Sequence, residues 1–162
     1  MLTGLAQADE RILSYHSDIQ INPDRSMIVT ETIRVHAEGN KIKRGIYRDF
    51  PTRYTDHYGN DYHVGFQVLS VLRDGKTESY HQEDLANGVR TYIGKSNVFL
   101  RAGEYTYEIR YRTTKQLGFF ADFDELYWNV TGNGWDFVIE KASALVRLPG
   151  DVAAAESCGP TG

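Results

Sequence analysis

Apolar and polar residues alternate along most of this chain with a period of two, the signature of strands that bury one face and wet the other. From Arg11 to Ile21 the parity puts Tyr15, Ile19 and Ile21 on one side, and the turn-forming Asn22-Pro23-Asp24-Arg25 then reverses the chain. The returning arm, "SMIVTETIRVHA", places Met27, Val29, Ile33 and Val35 inward with Glu31 as the odd member, and Thr30, Thr32, Arg34 and His36 outward. Val64, Phe66, Val68 and Leu72 predict a further strand, closed by the hairpin signal Asp74-Gly75 with Thr77 to Tyr80 as its return arm. "HQEDLANG" reads as a loop and "VRTYIG" as a short strand ending at Gly94. The cleanest alternation lies in "LRAGEYTYEIRYRTT", where Tyr105, Tyr107, Ile109 and Tyr111 interleave with Thr106, Glu108, Arg110 and Arg112. "LYWNVTGNGWDF" predicts two aromatic arms about a Gly132-Asn133-Gly134 turn. "VIEKASALVRLP" predicts a last strand whose parity slips between Ile139 and Ala142, as at a bulge.

About eight or nine short strands with regular turns, and no window carrying a helical stripe, predict an all-β fold: an antiparallel β-sandwich of the immunoglobulin/fibronectin kind. Leu100-x-x-Gly103-x-Tyr105 has the form of a tyrosine corner, in which the Tyr105 hydroxyl bonds back to the backbone near Leu100 or Ala102.

The 162 residues fit one domain with a core of its own. Eleven tyrosines against two methionines suit half-buried strands better than packed helices. Eighteen basic against 22 acidic residues, a net charge of −4, argue against a general nucleic-acid binder, which needs a cationic field. The single Cys158 excludes an intramolecular disulfide. No run approaches the ~20 apolar residues of a membrane-spanning helix. Ala6-Gln7-Ala8 before Asp9 has the small-x-small form of a signal-peptidase site but lacks a basic and apolar stretch ahead of it. Residues 1–8 therefore read as a signal-peptide remnant or a disordered N-terminus, 9–151 as the sandwich, and 152–162 as a flexible tail.

Candidate chemistry is sparse. Asp122, Asp124 and Glu125 stand between Phe119-Phe120 and Tyr127-Trp128. Carboxylates beside aromatics serve glycosidases, and oxygen ligands serve calcium, but the ordered calcium loop is missing, and a solvated acidic loop is the plainer reading. Tyr127, Trp128 and Trp135 would form a sugar-binding platform if exposed in one plane; a tryptophan buried between sheets competes with that. His16, His36, His57, His63 and His81 are scattered without ligand spacing, so no metal site is expected. No nucleophile elbow or phosphate loop occurs, and no cofactor is expected.

The stretch "GIYRDFPTRY" mixes arginines, an aspartate, aromatics and a proline, and reads either as a site or as a bend. Glu31 shares the parity of Val29 and Ile33, and a buried carboxylate needs a cation or several donors. Arg48 is its expected partner, because Ile46 and Phe50 share its parity and Pro51 holds Phe50 extended. The stretch then is an edge strand or bend clamped by a buried Glu31–Arg48 pair, with Asp49 and Arg53 facing solvent. The competing reading is an arginine that receives an anionic ligand.

The order and spacing of "ILSYHSDIQINPDRSMIVTETIRV", "GIYRDFP", "LRAGEYTYEIRY" and "ELYWNVTGNGWDFVIEKASALVRLP" resemble the N-terminal extracytoplasmic domain of the YciQ-like predicted membrane proteins, a bacterial family of unknown function. The resemblance runs from about Glu10 to Asp151. It implies a signal peptide before the domain, transmembrane helices after it, and attachment to the periplasmic face of the inner membrane; it carries no catalytic residues. "NPDRS" departs from the family's more usual Asp-Gly turn. Together these readings lead to a non-enzymatic domain, expected to be monomeric in isolation, that binds an unknown envelope protein or glycan. The alternatives are a carbohydrate-binding module using the tryptophans and a glycan hydrolase using Asp122, Asp124 or Glu125.

Overall fold

A computed structural model describes residues 9–56 and 58–150 of the chain. Alternating residues there form strands throughout and no helix: β1 (Arg11–Ile21), β2 (Met27–Ala37), β3 (Ile46–Pro51), β4 (Arg53–Thr55), β5 (Asp61–His63), β6 (Gly65–Arg73), β7 (Lys76–Thr77), β8 (Tyr80–Leu85), β9 (Gly88–Ile93), β10 (Gly103–Thr114), β11 (Leu117–Phe119), β12 (Asp124–Leu126) and β13 (Ala142–Arg147). The class is all-β as expected, with thirteen strands among the described residues in place of the eight or nine foreseen. Ala6-Gln7-Ala8, His57, Cys158 and the tail lie outside the described residues.

One sheet has the order β13-β1-β2-β10-β6-β7, a second β3-β9-β8, and two small hairpins, β4-β5 and β11-β12, stand apart from them. The pairings are antiparallel except one: β13 runs parallel to β1, in register from Tyr15–Ala142 to Gln20–Arg147, which corrects the fully antiparallel sandwich. The inner face of β1, β2 and β10 carries Tyr15, Ile19, Val29, Ile33, Tyr107, Ile109 and Tyr111, all 0–1% exposed. Burying each of these large apolar side chains contributes about 1.5–3 kcal/mol. A bulge at Leu13, where the β1–β2 register shifts, lets both Ile12 and Tyr15 point inward.

A second bulge corrects the reading of β6. The register against β10 slips between Ser70–Arg110 and Val68–Tyr111, leaving Leu69 unpaired and 41% exposed, so Val71 and not Leu72 fills the core beyond it. The predicted turn after β6 is made by Asp74 at φ 51° and Gly75 at φ 76°, the left-handed pair of a tight hairpin. Its return arm is only β7. The next residues, expected as a loop, instead form β8 and pair along their whole length with β9 through Leu85–Gly88. The predicted hairpin around Gly132 is absent: 127–141 contains no strand, and the aromatic hairpin lies earlier, as β11-β12. The last strand begins at Ala142, after Ile139 has bridged to Ile12, and is exposed along its length.

Candidate functional site

Glu31 sits mid-strand on β2, directly opposite Ser17 of β1 and Ile109 of β10. The small Ser17 leaves room above the carboxylate for a side chain from the facing sheet. β3 supplies it, because Ile46, Arg48 and Phe50 all point inward. Arg48 donates from Nε to Glu31 Oε2 and from Nη2 to Glu31 Oε1, both at 2.9 Å, and from Nε to the Tyr15 hydroxyl at 3.0 Å. Its Nη1 donates to the Asp49 carbonyl. The Tyr111 hydroxyl donates to Glu31 Oε1 at 2.7 Å. Glu31 is 0% and Arg48 4% exposed.

Burial alone works against the Arg48 charge, but the facing Glu31 carboxylate outweighs it and holds the guanidinium protonated well above its usual range. Burial pushes the Tyr15 and Tyr111 hydroxyls well up, and the Glu31 charge raises them further, so both remain protonated.

A loop seals this cluster. Gly132, at φ 68°, lies so close to the guanidinium that an added Cβ would stand 2.3 Å from Arg48 Nη1. Trp135 of the same loop meets Tyr15 edge-on at 6.1 Å and donates its indole N–H to the Thr131 carbonyl at 2.8 Å. Arg48 is therefore enclosed on every side described, which leaves no access for an anionic ligand. Asp49, expected in solvent, instead takes a two-pronged ion pair from Arg90 of β9 at 2.6 and 2.7 Å. Arg53 is exposed, as read from the sequence.

The acidic candidates gather differently. Asp124 and Glu125 lie on β12 and Asp122 on the turn before it; all three are exposed. They accept no hydrogen bond from one another, and no group of three metal-ligating side chains occurs among the described residues. Of the proposed platform, Tyr127 is 85% exposed, but Trp128 and Trp135 pack against the core, Trp128 at 6.1 Å from Phe50. The three rings do not share an open plane, which corrects the sugar-platform reading. Two surface hollows, of about 280 Å³ beside Asp24, Arg25, Lys115 and Phe119, and of about 210 Å³ beside Tyr47, Trp135 and Phe137, are lined by none of these three carboxylates. The Tyr105 hydroxyl donates to the Arg101 carbonyl at 2.8 Å, closing the corner between its two expected neighbours.

Sequence reading missed Tyr15 and Tyr111 as partners of Glu31, although their inward parity next to the register of Glu31 carried the signal. It also missed Glu10, whose carboxylate accepts the backbone N–H groups of Glu38, Asn40, Lys41 and Ile42 and so pins that loop. A lone glutamate at a strand start gives no sign of a partner thirty residues away.

Residues 11–158 match the model of the N-terminal domain of a predicted membrane protein family, DUF2207. The uncharacterized protein YciQ of Escherichia coli K12 is 31% identical over 139 residues, covering 86% of this chain and 22% of that protein, so the chain spans about a fifth of its relative's length. Among solved structures, native yeast LTA4 hydrolase is 16% identical over 67% of this chain and 15% of that one at a TM-score of 0.48. The M1 zinc metallopeptidase of Deinococcus radiodurans is 14% identical over 68% and 22% at 0.38. Likenesses this distant carry no functional argument. No helix among the described residues is long and apolar enough to cross a membrane. With the family model covering nearly all of the strands and the curated relative most of the chain, this protein belongs to the DUF2207 family of predicted membrane proteins, as its N-terminal domain.

Proposed function

We propose that the domain is a non-catalytic interaction module on the extracytoplasmic, periplasmic face of a bacterial inner membrane, and that it receives an extended segment of an envelope protein along β8. One observation carries this reading. β8 pairs only with β9 among the described strands, and Tyr80 to Asp84 are exposed, so one edge of the β3-β9-β8 sheet presents open backbone to solvent. An open edge takes an added strand through main-chain hydrogen bonds, with the side chains setting specificity. His81, Glu83 and Asp84 on that edge provide the charges that would keep it from pairing with copies of itself. The six-stranded and three-stranded sheets, joined by the tyrosine corner, are taken here as an immunoglobulin/fibronectin-like sandwich, a scaffold that leaves edges and loops for binding. The enzyme reading has weaker support, since the converging ionisable groups are sealed around Glu31 and the carboxylates of the acidic hairpin are exposed to solvent.

The test is a photo-crosslinking residue in place of Gln82 in the full-length protein in its membrane, with Glu108 on the outer face of β10 as control. A discrete protein adduct from position 82 and none from 108 is expected. Absence of any adduct at 82, together with glycan hydrolysis that disappears in Asp124→Asn, overturns the proposal in favour of the hydrolase.

A further inference from the structure

The sheet registers gather several features at one end of the molecule. The row Arg147, Gln20, Ile28, Arg112 and Gln67 crosses five neighbouring strands, and beyond it lie the β1-β2 turn, the end of β10 and the start of β6. The β4-β5 hairpin enters this end directly, because it leads through Val64 into Gly65, which pairs with Thr114. The β11-β12 hairpin leaves from the same end, three residues after Thr114, and Arg25 of the β1-β2 turn lies over its Phe119 ring at 4.5 Å. The last strand, β13, also runs toward this end and leaves it at Arg147.

Both hairpins carry exposed aromatics. On β4-β5, Tyr54 and Tyr62 stack at 5.5 Å with 37% and 41% exposure, and Tyr58 at the tip is 79% exposed. On β11-β12, Phe120 and Phe123 stack at 4.8 Å with 52% and 59% exposure, and Phe119 is 50% exposed. Three phenylalanines left half in water on one short hairpin are an apolar surface that a freely dissolved domain would hide. The tyrosine rings at the same end of the sheet are the side chains that settle at the headgroup level of a bilayer, with an apolar ring and a polar tip.

We infer that this aromatic end rests on the lipid–water interface of the membrane to which the family's proteins belong. Two observations select lipid as the occupant. The last described strand, β13, runs toward this end, and the family description makes this the N-terminal domain of a membrane protein, so the direction of that strand points to the membrane on this side. The charge of the tips then selects the lipid. Around the phenylalanines the carboxylates of Asp122, Asp124 and Glu125 outnumber the cations Arg25 and Lys115, so the surface gains nothing from anionic headgroups and suits zwitterionic ones such as phosphatidylethanolamine. Insertion is shallow, with the rings reaching ~5–10 Å into the boundary between headgroups and acyl chains. The inference rests on family membership and on the geometry of this end, and is independent of which segment β8 receives.

The test uses the 162-residue chain tethered by a C-terminal tag to nickel-chelating vesicles of phosphatidylethanolamine and phosphatidylcholine with brominated acyl chains. Trp reporters are placed one at a time by Phe123→Trp, by Tyr58→Trp, and by Phe99→Trp on the exposed loop at the opposite end of the sheet. The two native tryptophans are subtracted with the unsubstituted chain. Bromine quenching of the added emission at positions 123 and 58, and none at 99, is the expected result. The two reporter hairpins are separate, so one variant that fails to fold leaves the other to decide. No quenching at either hairpin overturns the inference and assigns this end to a protein contact. Equal quenching at 99 overturns it as unspecific adsorption. Exchanging part of the lipid for phosphatidylglycerol should leave the quenching unchanged or lower it, and an increase would overturn the zwitterionic assignment.

Discussion

Replacing Glu31 by glutamine removes one charge from a cluster closed to water and leaves the shape almost unchanged. The carboxylate accepts two bonds from Arg48 and one from Tyr111. The glutamine amide keeps one acceptor oxygen and turns an NH2 toward donors, so the guanidinium loses its counter-charge and at least one bond. Breaking a buried pair from one side costs ~3–5 kcal/mol. The lower end applies here, about 3 kcal/mol, because Arg48 keeps the Tyr15 hydroxyl and the Asp49 carbonyl as acceptors. With a urea slope of ~1–3 kcal/mol per molar, the unfolding midpoint falls by roughly 1–3 M. Arg48→Met strands Glu31 in the same way and has a loss of similar size. The double variant removes both charges and so leaves no unpaired buried charge, and its loss falls short of the sum by a coupling energy of ~2 kcal/mol. Urea unfolding of the four proteins, followed by near-ultraviolet circular dichroism, measures the cycle. Losses that add to within ~0.5 kcal/mol would refute the clamp.

Three further outcomes follow from the same geometry. Tyr105→Phe removes the bond to the Arg101 carbonyl and should cost about 1 kcal/mol in urea unfolding, with no change at β8. Gly132→Ala and Gly39→Ala both force alanine into a left-handed backbone, at ~1–2 kcal/mol each. The Gly132 change should cost ~1–3 kcal/mol more, because its Cβ meets a guanidinium that Glu31 prevents from moving, whereas Gly39 faces open space; equal midpoints would show that the loop does not seat on Arg48. Burial would raise the Glu10 carboxyl, but the four backbone N–H groups prevail and set it below its ordinary 4.5. The stability it contributes is therefore complete above that ordinary value and is lost as pH falls through the lower folded-state value, so Glu10→Gln should flatten this part of the acid unfolding profile.

What was legible in the sequence depended on whether a strand had a dry side. β1, β2 and β10 bury one face each, and their alternation fixed their limits and even the inward place of Glu31 and Arg48. β8 wets both faces, so "HQEDLANG" holds no alternation and only pairing with β9 makes it a strand. In β6 the parity was visible, but the bulge that exchanges Leu72 for Val71 arises from the register with β10, about forty residues away in the chain. The tryptophans misled for a related reason: an aromatic-rich loop looks the same whether it offers rings to a ligand or, as with Trp135 over Tyr15, closes a core. Asp122, Asp124 and Glu125 were singled out in sequence as an acidic loop and not as the hairpin they help to form, and no local motif connects them to the β4-β5 tyrosines at the same end of the sheet.

The parallel pairing of β1 with β13 also has a mechanical meaning. The chain enters β1 at Arg11, at one end of the sheet, and leaves β13 at Arg147, at the other. A pull on the two ends in opposite directions therefore acts along the strands, and the hydrogen bonds between Tyr15–Ala142 and Gln20–Arg147 take the load together in shear. An antiparallel terminal hairpin would place both ends at the same edge and open one bond at a time. Tension between the two ends would, with this arrangement, fall first on the junction of the first and last strands and not on the hydrogen bonds of the inner sheet.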